Sequence, residues 1–243
     1  MANTYFQFKQ FLIHQDKCAM KVCTDACLFG AWVADKIQHP KAKIQNVLDV
    51  GCGTGLLSLM VVQKNAQIIT DAVEIDEAAF QQAKENFEAS PWKERLNIFN
   101  EPIQQFANSH IRESKYDLLI SNPPFYASDL KSDDVKRNLA LHSSALQLDE
   151  LINIADDLLT DDGNFFMLLP YHRTKDLETL IGRKFFVKEK VLVKQTEKHV
   201  WFRSMWWLAR KTVNTVYSEI IIDTGENYSK EFTGLLKDYY LRL

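Results

Sequence analysis

Asn46–Val50 (NVLDV) is a short apolar run ending in an acid and a valine, and Gly51-Cys52-Gly53-Thr54-Gly55 follows it without a gap. Leu56–Gln63 is then apolar on most sides. Three glycines in five residues suit neither a helix nor a strand interior, so the segment reads as strand, tight turn, buried helix. That unit opens an open α/β sheet, in which ligands bind at the carboxyl ends of the strands. Glu74 closes the next apolar run, Ile68–Glu74. A carboxylate at that place can accept both hydroxyls of a ribose.

The rest of the chain repeats the alternation. Asp76–Ala89 has helical spacing, with Ala79, Phe80, Ala83 and Phe87 on one side. Leu96–Phe99 and Tyr116–Ser121 read as strands, the latter running into Asn122-Pro123-Pro124-Phe125. Residues 126–147 are polar and loop-like; Leu148–Leu159 is a helix, Asn164–Leu169 a strand and Thr174–Ile181 a helix. Phe185–Lys194 and Trp201–Ala209 have only a polar turn between them, which fits an antiparallel pair. Ile220–Asp223 is a further strand candidate and Ser229–Leu241 a final helix. Residues 1–46 read as an irregular preamble anchored by Phe6, Phe8, Phe11, Leu12 and Ile13. Its one helix, Ala26–Ile37, is capped by Thr24 or Asp25. The expected fold is a Rossmann-like α/β domain over 1–243. It has a mainly parallel seven-stranded sheet, a C-terminal antiparallel hairpin and helices on both faces. Residues 1–46 are its N-terminal extension, 47–183 the cofactor-binding core and 184–243 the hairpin and last helix.

Composition narrows the setting. With 46% apolar, 12% aromatic and 25% charged residues, the chain of 243 is an ordinary globular one. No run of eighteen apolar residues predicts a membrane span, and Met1–Gln15 lacks the pattern of a signal peptide. Cysteines at 18, 23, 27 and 52 match neither a disulfide framework nor zinc knuckles. Reduced thiols, a cytoplasmic location and no metal are expected. The net charge is −3, yet Arg183–Lys211 holds nine Lys and Arg against two Glu, leaving −10 elsewhere. Such asymmetry suits an anionic partner, and equally the solvated face of strands.

Two cofactor classes share a glycine turn of this kind. Dinucleotide sites prefer G-x-G-x-x-G, with a pyrophosphate on the helix N-terminus. Here the third glycine comes one residue early, and Asp49 puts a negative charge where a pyrophosphate would be repelled. An acid before G-x-G-x-G instead resembles the S-adenosylmethionine methyltransferases, whose cofactor carries an ammonium and a sulfonium. A purely structural turn stays open as the alternative.

Asn122-Pro123-Pro124-Phe125 adds the second element. Two prolines stiffen the turn and remove two backbone donors. The Asn122 amide oxygen and the Pro123 carbonyl can converge on one NH2 group, drawing its lone pair out of conjugation. Phe125 offers a face on which the attached ring can stack. The alternative is a tight turn without chemistry.

The chain resembles the class I methyltransferases with an (N/D)PP(Y/F/W) motif and, more narrowly, the bacterial tRNA1(Val) (adenine(37)-N6)-methyltransferase family. The likeness is carried by Phe8-Lys-Gln-Phe11, Asp16-Lys-Cys-Ala-Met-Lys-Val22, Thr24-Asp25, Gly30-Ala-Trp32, Ala72-Val-Glu-Ile75, Ser90-Pro-Trp92, Ser121–Phe125 and Asn227-Tyr-Ser229. It implies an enzyme that uses S-adenosylmethionine to methylate N6 of an adenine in tRNA, in the anticodon loop. Asn122, Pro123, Pro124 and Phe125 would be catalytic. Asp49, Gly51, Gly53, Gly55 and Glu74 would hold the cofactor, with Thr24 and Asp25 closing over it. Cys23 stands where the family has Gly, and Phe125 where Tyr is common. An Asp that usually receives the cofactor's adenine is replaced by Pro102, with Glu101 beside it. RNA would lie on Lys194, Lys198, His199, Trp201 and Arg203 around the hairpin turn, or on Lys131, Lys136 and Arg137; His142 reads as structural. A monomer is expected. The alternatives are an N-methyltransferase of DNA, rRNA or a protein glutamine, a nucleotide-dependent oxidoreductase, and an inactive RNA-binding protein with this fold.

Overall fold

The computed structural model describes residues 3–38, 44–110, 115–123 and 146–243. Pro124, Phe125, Lys131, Lys136, Arg137 and His142 therefore lie outside the described residues.

Among the described residues, the chain opens with β1 (Tyr5–Gln7), β2 (Leu12–His14) and α1 (Thr24–Ile37). The α/β core follows as β3 (Asn46–Val50), α2 (Leu56–Lys64), β4 (Ile69–Val73), α3 (Glu77–Glu88), β5 (Leu96–Phe99), α4 (Ile103–His110) and β6 (Tyr116–Ser121). Then come α5 (Leu148–Leu158), β7 (Leu159–Pro170), α6 (Thr174–Leu180), β8 (Phe186–Lys194), β9 (Arg203–Ala209), β10 (Val216–Ile221) and α7 (Lys230–Leu236). One sheet has the order β10-β8-β9-β7-β6-β3-β4-β5, with β7, β6, β3, β4 and β5 parallel and β9 antiparallel to both neighbours.

The middle of the sheet is buried on both sides, and its strands show it by alternation. Along β7, Phe166 and Leu168 enter one core while Phe165, Met167 and Leu169 enter the other. Along β9, Met205 faces the first and Trp206 with Leu208 the second. Helices α1, α2, α3 and α7 cover the first face; α4, α5 and α6 cover the second. Each fully buried large side chain contributes about 1.5–3 kcal/mol, so continuous apolar runs are what this architecture demands.

The expected Rossmann-like α/β class holds, with differences in detail. The main sheet has eight strands, not seven, because β10 pairs in parallel beyond β8. The preamble is not wholly irregular: β1 and β2 form an antiparallel pair, Phe6 opposite Ile13. Helix α1 begins at Thr24 with Cys23 as its cap residue, and no side chain caps it, so neither Thr24 nor Asp25 plays that part. Helix α4 was not foreseen, and the last helix ends at Leu236, where Tyr239 and Tyr240 turn inward. The chain's order of connections reverses between β3 and β6. Open α/β sheets place a ligand crevice at that point.

Candidate functional site

Parallel register sets the site. Val50 lies opposite Ser121 of β6 and Val73 of β4, and Val73 lies opposite Phe99 of β5. The next residues, Asn122, Gly51, Glu74 and Asn100, therefore emerge side by side at the carboxyl edge. Ser121 Oγ donates to the Val50 carbonyl at 2.9 Å, and the N–H groups of Gly51 and Cys52 both reach the Val73 carbonyl, at 2.9 and 3.2 Å. These bonds lock the three strand ends at one level.

Gly51, Gly53 and Gly55 all have positive φ, at 70°, 56° and 79°. Among the described residues, a Cβ on Gly51 or Gly53 would meet nothing within 4 Å, so this stretch of backbone is open to close approach. A Cβ on Gly55 would run into the Phe87 ring of α3, so this glycine is needed for packing as well as for its φ.

Two carboxylates flank the turn. Glu74 Oε2 accepts the Gly53 N–H at 2.8 Å and Oε1 the Asp76 N–H at 2.9 Å. Asp76 in turn caps α3 through the Ala79 N–H. Glu74 is thus held by one bond per oxygen, with acceptor capacity left over. Asp49 is wholly buried. Its Oδ2 accepts the Ser58 hydroxyl at 2.6 Å and the Ser58 N–H at 3.2 Å, while Oδ1 has no partner. Burial pushes its carboxyl up to about 7; the Ser58 bonds oppose that shift and the Glu74 charge adds to it. Asp49 therefore acts on the cleft through its charge and through Ser58, not through an exposed oxygen.

Asn122 is half-buried and Pro123 buried, directly after β6. No hydrogen bond of the Asn122 side chain is found among the described residues, and its amide stands at the carboxyl edge of the sheet beside Gly51. Pro124 and Phe125 lie outside the described residues. Ile75, 55% exposed and next to Glu74, supplies an apolar surface at the same edge.

Other expected residues are placed differently. Thr24 is exposed, and the buried Asp25 accepts Arg203 Nε at 2.6 Å. That ion pair ties the first turn of α1 to β9 and occupies Arg203. Pro102 spends its carbonyl on the Gln105 and Phe106 N–H groups that begin α4. Asn100 donates to the Glu74 carbonyl at 2.9 Å. Glu101, half-buried, stays without such a partner among the described residues. Among the described residues, no group of three His, Cys, Asp or Glu could hold a metal ion.

Ser58, Asp76, Gln82 and Asn86 escaped the reading of the sequence. The available signal was polarity out of place: Ser58 sits in the apolar stretch LLSLMVV, and Gln82 and Asn86 share the inner face of α3 with Ala79, Ala83 and Phe87.

The model of the methyltransferase small domain matches residues 22–200. A tRNA1(Val) (adenine(37)-N6)-methyltransferase of Yersinia pestis is 40% identical over 239 residues, covering 97% of this chain and 93% of that protein. The chain belongs to this methyltransferase family. The resemblance drawn from the motifs is thereby borne out. Solved structures add the fold. A predicted O-methyltransferase from Agrobacterium tumefaciens superposes with a TM-score of 0.67 at 13% identity, over 88% of this chain and 96% of the other. A ribosomal protein L11 methylase from Lactobacillus delbrueckii does so with 0.54 at 17% identity, over 81% and 83%.

In this methyltransferase, the hairpin turn lies at the same end of the sheet as the cleft. Ser121 is level with Met167, and Arg203 at the start of β9 is level with Pro170. Lys198 and His199 are exposed in that turn, and Val200 is 84% exposed. Trp201 is half-buried, with Lys194 Nζ 4.7 Å from its ring centroid. Lys194 also pairs with Glu197 at 2.8 Å. Trp206 is wholly buried and Trp207 stacks on Phe166 at 5.0 Å, so both belong to the core.

Proposed function

We infer that the protein transfers a methyl group from S-adenosylmethionine to N6 of an adenine in tRNA, adenine 37 in the anticodon loop of tRNA1(Val). The observation that carries this reading is the level alignment of Asn122, Gly51 and Glu74 at the switch point of the sheet. It sets an amide acceptor beside a site suited to a cationic nucleoside.

The residues present fit that cofactor. Gly51 and Gly53 leave backbone open to close approach. Asp49 has a buried oxygen without a partner and a second carboxylate, Glu74, near it. Negative charge there favours a cation and opposes a pyrophosphate. Glu74 would take the ribose hydroxyls, and the glycine turn with the charge of Asp49 the amino acid end. Ile75 and Glu101 flank the place for the adenine. Thr24 would close over the cofactor, beside an Asp25 already paired with Arg203. S-adenosylmethionine, when bound, supplies a methyl carbon attached to a positively charged sulfur.

The chain's own part is to hold the amine. Asn122 Oδ1 and the Pro123 carbonyl accept its two hydrogens, turning the lone pair out of the ring. Pro123 and Pro124 have fixed φ, so these acceptors need little reorganisation. Phe125 provides the stacking face. A neutral amine becomes cationic as its new bond forms, and acceptors on its hydrogens strengthen with that charge. As the N6–carbon bond forms, the carbon–sulfur bond would break, neutral S-adenosylhomocysteine would leave, and the surplus proton on the amine goes to water.

RNA approaches over the hairpin turn, where Lys194, Lys198 and His199 meet the backbone and Trp201 a base. Arg203 is held by Asp25 and serves this surface by positioning the start of β9. Lys131 and Arg137, outside the described residues, are the second candidate for RNA contact. A base already in a loop leaves its stack for only a few kcal/mol, roughly.

The test is incubation with labelled S-adenosylmethionine and tRNA from a strain lacking the protein, followed by nucleoside analysis. Label in N6-methyladenosine at position 37 of tRNA1(Val) is the expected result. Label confined to protein or DNA would contradict it.

A further inference from the structure

Helix α3 carries two amides on its inner face one turn apart, Gln82 and Asn86, each 1% exposed. Asn86 Oδ1 accepts the His14 N–H at 2.9 Å, and Nδ2 donates to the carbonyls of His14 and Thr54, each at 2.9 Å. One side chain thus satisfies both backbone groups of His14, as a neighbouring strand would, and also grips the glycine turn. Gln82 Oε1 accepts the Lys17 N–H at 3.1 Å. Gln15, itself buried, folds the segment on itself. Its Oε1 accepts the Val22 N–H at 2.8 Å and its Nε2 donates to the Asn3 carbonyl at 3.0 Å.

The segment so held borders the cleft. Cys18 at its middle is buried, and its thiol is pushed up by burial first and then by the charges of Glu74 and Asp76. Cys52, inside the glycine turn, feels the same thiol. Helix packing alone would be served by apolar side chains. A buried amide costs desolvation unless every group is bonded. Here the bonds of Asn86 all go to backbone of two irregular segments, which is the arrangement that fixes their relative position.

We propose that residues 14–22 form one wall of the cofactor cleft, and that Gln82 and Asn86 are positioning residues holding this wall in register with the glycine turn. The proposal rests on the cleft being the S-adenosylmethionine site. Gln82 holds the wall alone; Asn86 holds wall and turn together. Loosening the wall weakens cofactor binding while leaving the amine acceptors at Asn122 and Pro123 in place.

The test uses the full chain with Gln82→Leu and, separately, Asn86→Leu. Amide exchange of the cofactor-free protein is measured at His14 and Lys17. Affinity for S-adenosylhomocysteine is measured by calorimetry, and turnover at saturating cofactor alongside. In Gln82→Leu, exchange at Lys17 accelerates, affinity falls about fivefold and saturated turnover changes less than about twofold. Asn86→Leu, which loses three bonds, loses affinity further, about twentyfold. Unchanged exchange at Lys17, or unchanged affinity despite faster exchange, would overturn the positioning role. Should Asn86→Leu fail to fold, Gln82→Leu decides, since it leaves the bonds of Asn86 intact. A wild-type protein that binds no S-adenosylhomocysteine would overturn the cofactor reading itself, and the role of the wall with it.

Discussion

Near neutrality the buried carboxyl of Asp49 stands at about 7, midway between its two forms. Its folded value lies above the unfolded carboxylate value of about 4. Stability from the neutral form is therefore complete below about pH 4 and lost as pH rises through about 7. Binding of a cation runs the other way, since it needs the ionised form. Affinity for S-adenosylmethionine rises with pH up to about 7, by close to tenfold per unit below that, and then levels. Calorimetry between pH 5.5 and 8.5 measures it, with those limits spanning about 1.5 units on each side. Asp49→Asn abolishes the slope, binds weakly throughout, and raises the stability of the cofactor-free protein above pH 7 by on the order of 1–3 kcal/mol. A wild-type slope in that variant would place the titration elsewhere.

At the scale of the element, the glycine turn separates packing from binding. Gly55→Ala forces a methyl into the Phe87 ring at φ +79°, so stability falls by about 2–4 kcal/mol. Gly51→Ala meets only the strain of φ +70° in open space and costs about 1 kcal/mol. Its larger effect is on cofactor affinity, because the methyl fills the cleft. Urea midpoints and binding isotherms of the two variants distinguish the effects, and equal stability loss in both would contradict the geometry. The same turn explains what was legible. Asp49, the glycines, Glu74 and Asn122 sit on consecutive strand ends, where local sequence alone dictates strand, turn and acid. Leu96–Phe99 and Tyr116–Ser121 were readable to the residue because polar residues bound each mainly apolar stretch, Arg95 and Asn100 the first, Lys115 and Asn122 the second. Strands β1 and β2 span three residues each, too short for a period to show. Helix α4 was hidden behind Pro102, and Ser229–Leu241 was read too long because Tyr239 and Tyr240 look helical but pack from a turn. Gln82 and Asn86 were illegible because their partners lie 65 and 72 residues away.

The whole molecule disposes of its charge unevenly. Of the nine cations in Arg183–Lys211, six are in ion pairs: Lys184 and Arg210 with Asp156, Lys190 with Glu178, Lys194 with Glu197, Arg203 with Asp25 and Lys211 with Asp162. Much of the local excess therefore braces the outer strands, and an exposed pair such as Lys211 with Asp162 contributes little to stability. Lys198 is the clearest cation left to an anionic partner at the cleft end of the sheet. Lys194→Glu with Lys198→Glu weakens tRNA binding and lowers the slope of log affinity against log salt by about 1–2, with cofactor affinity unchanged. A filter-binding series from 50 to 200 mM salt, the range over which phosphate contacts tell, checks it. An unaltered slope would move the RNA surface away from the hairpin.

The central claim is that the Asn122 amide, aligned with the glycine turn and Glu74, holds the amine that is methylated. Single-turnover methyl transfer to tRNA by Asn122→Ala, with cofactor and tRNA affinities measured on the same preparation, tests it directly. The account predicts a rate lower by about tenfold to a thousandfold, as for one acceptor contributing about 1.4–4 kcal/mol to the transition state, with both affinities within about twofold of wild type. A folded variant that transfers methyl at the wild-type rate, or whose loss is wholly one of binding, would contradict it.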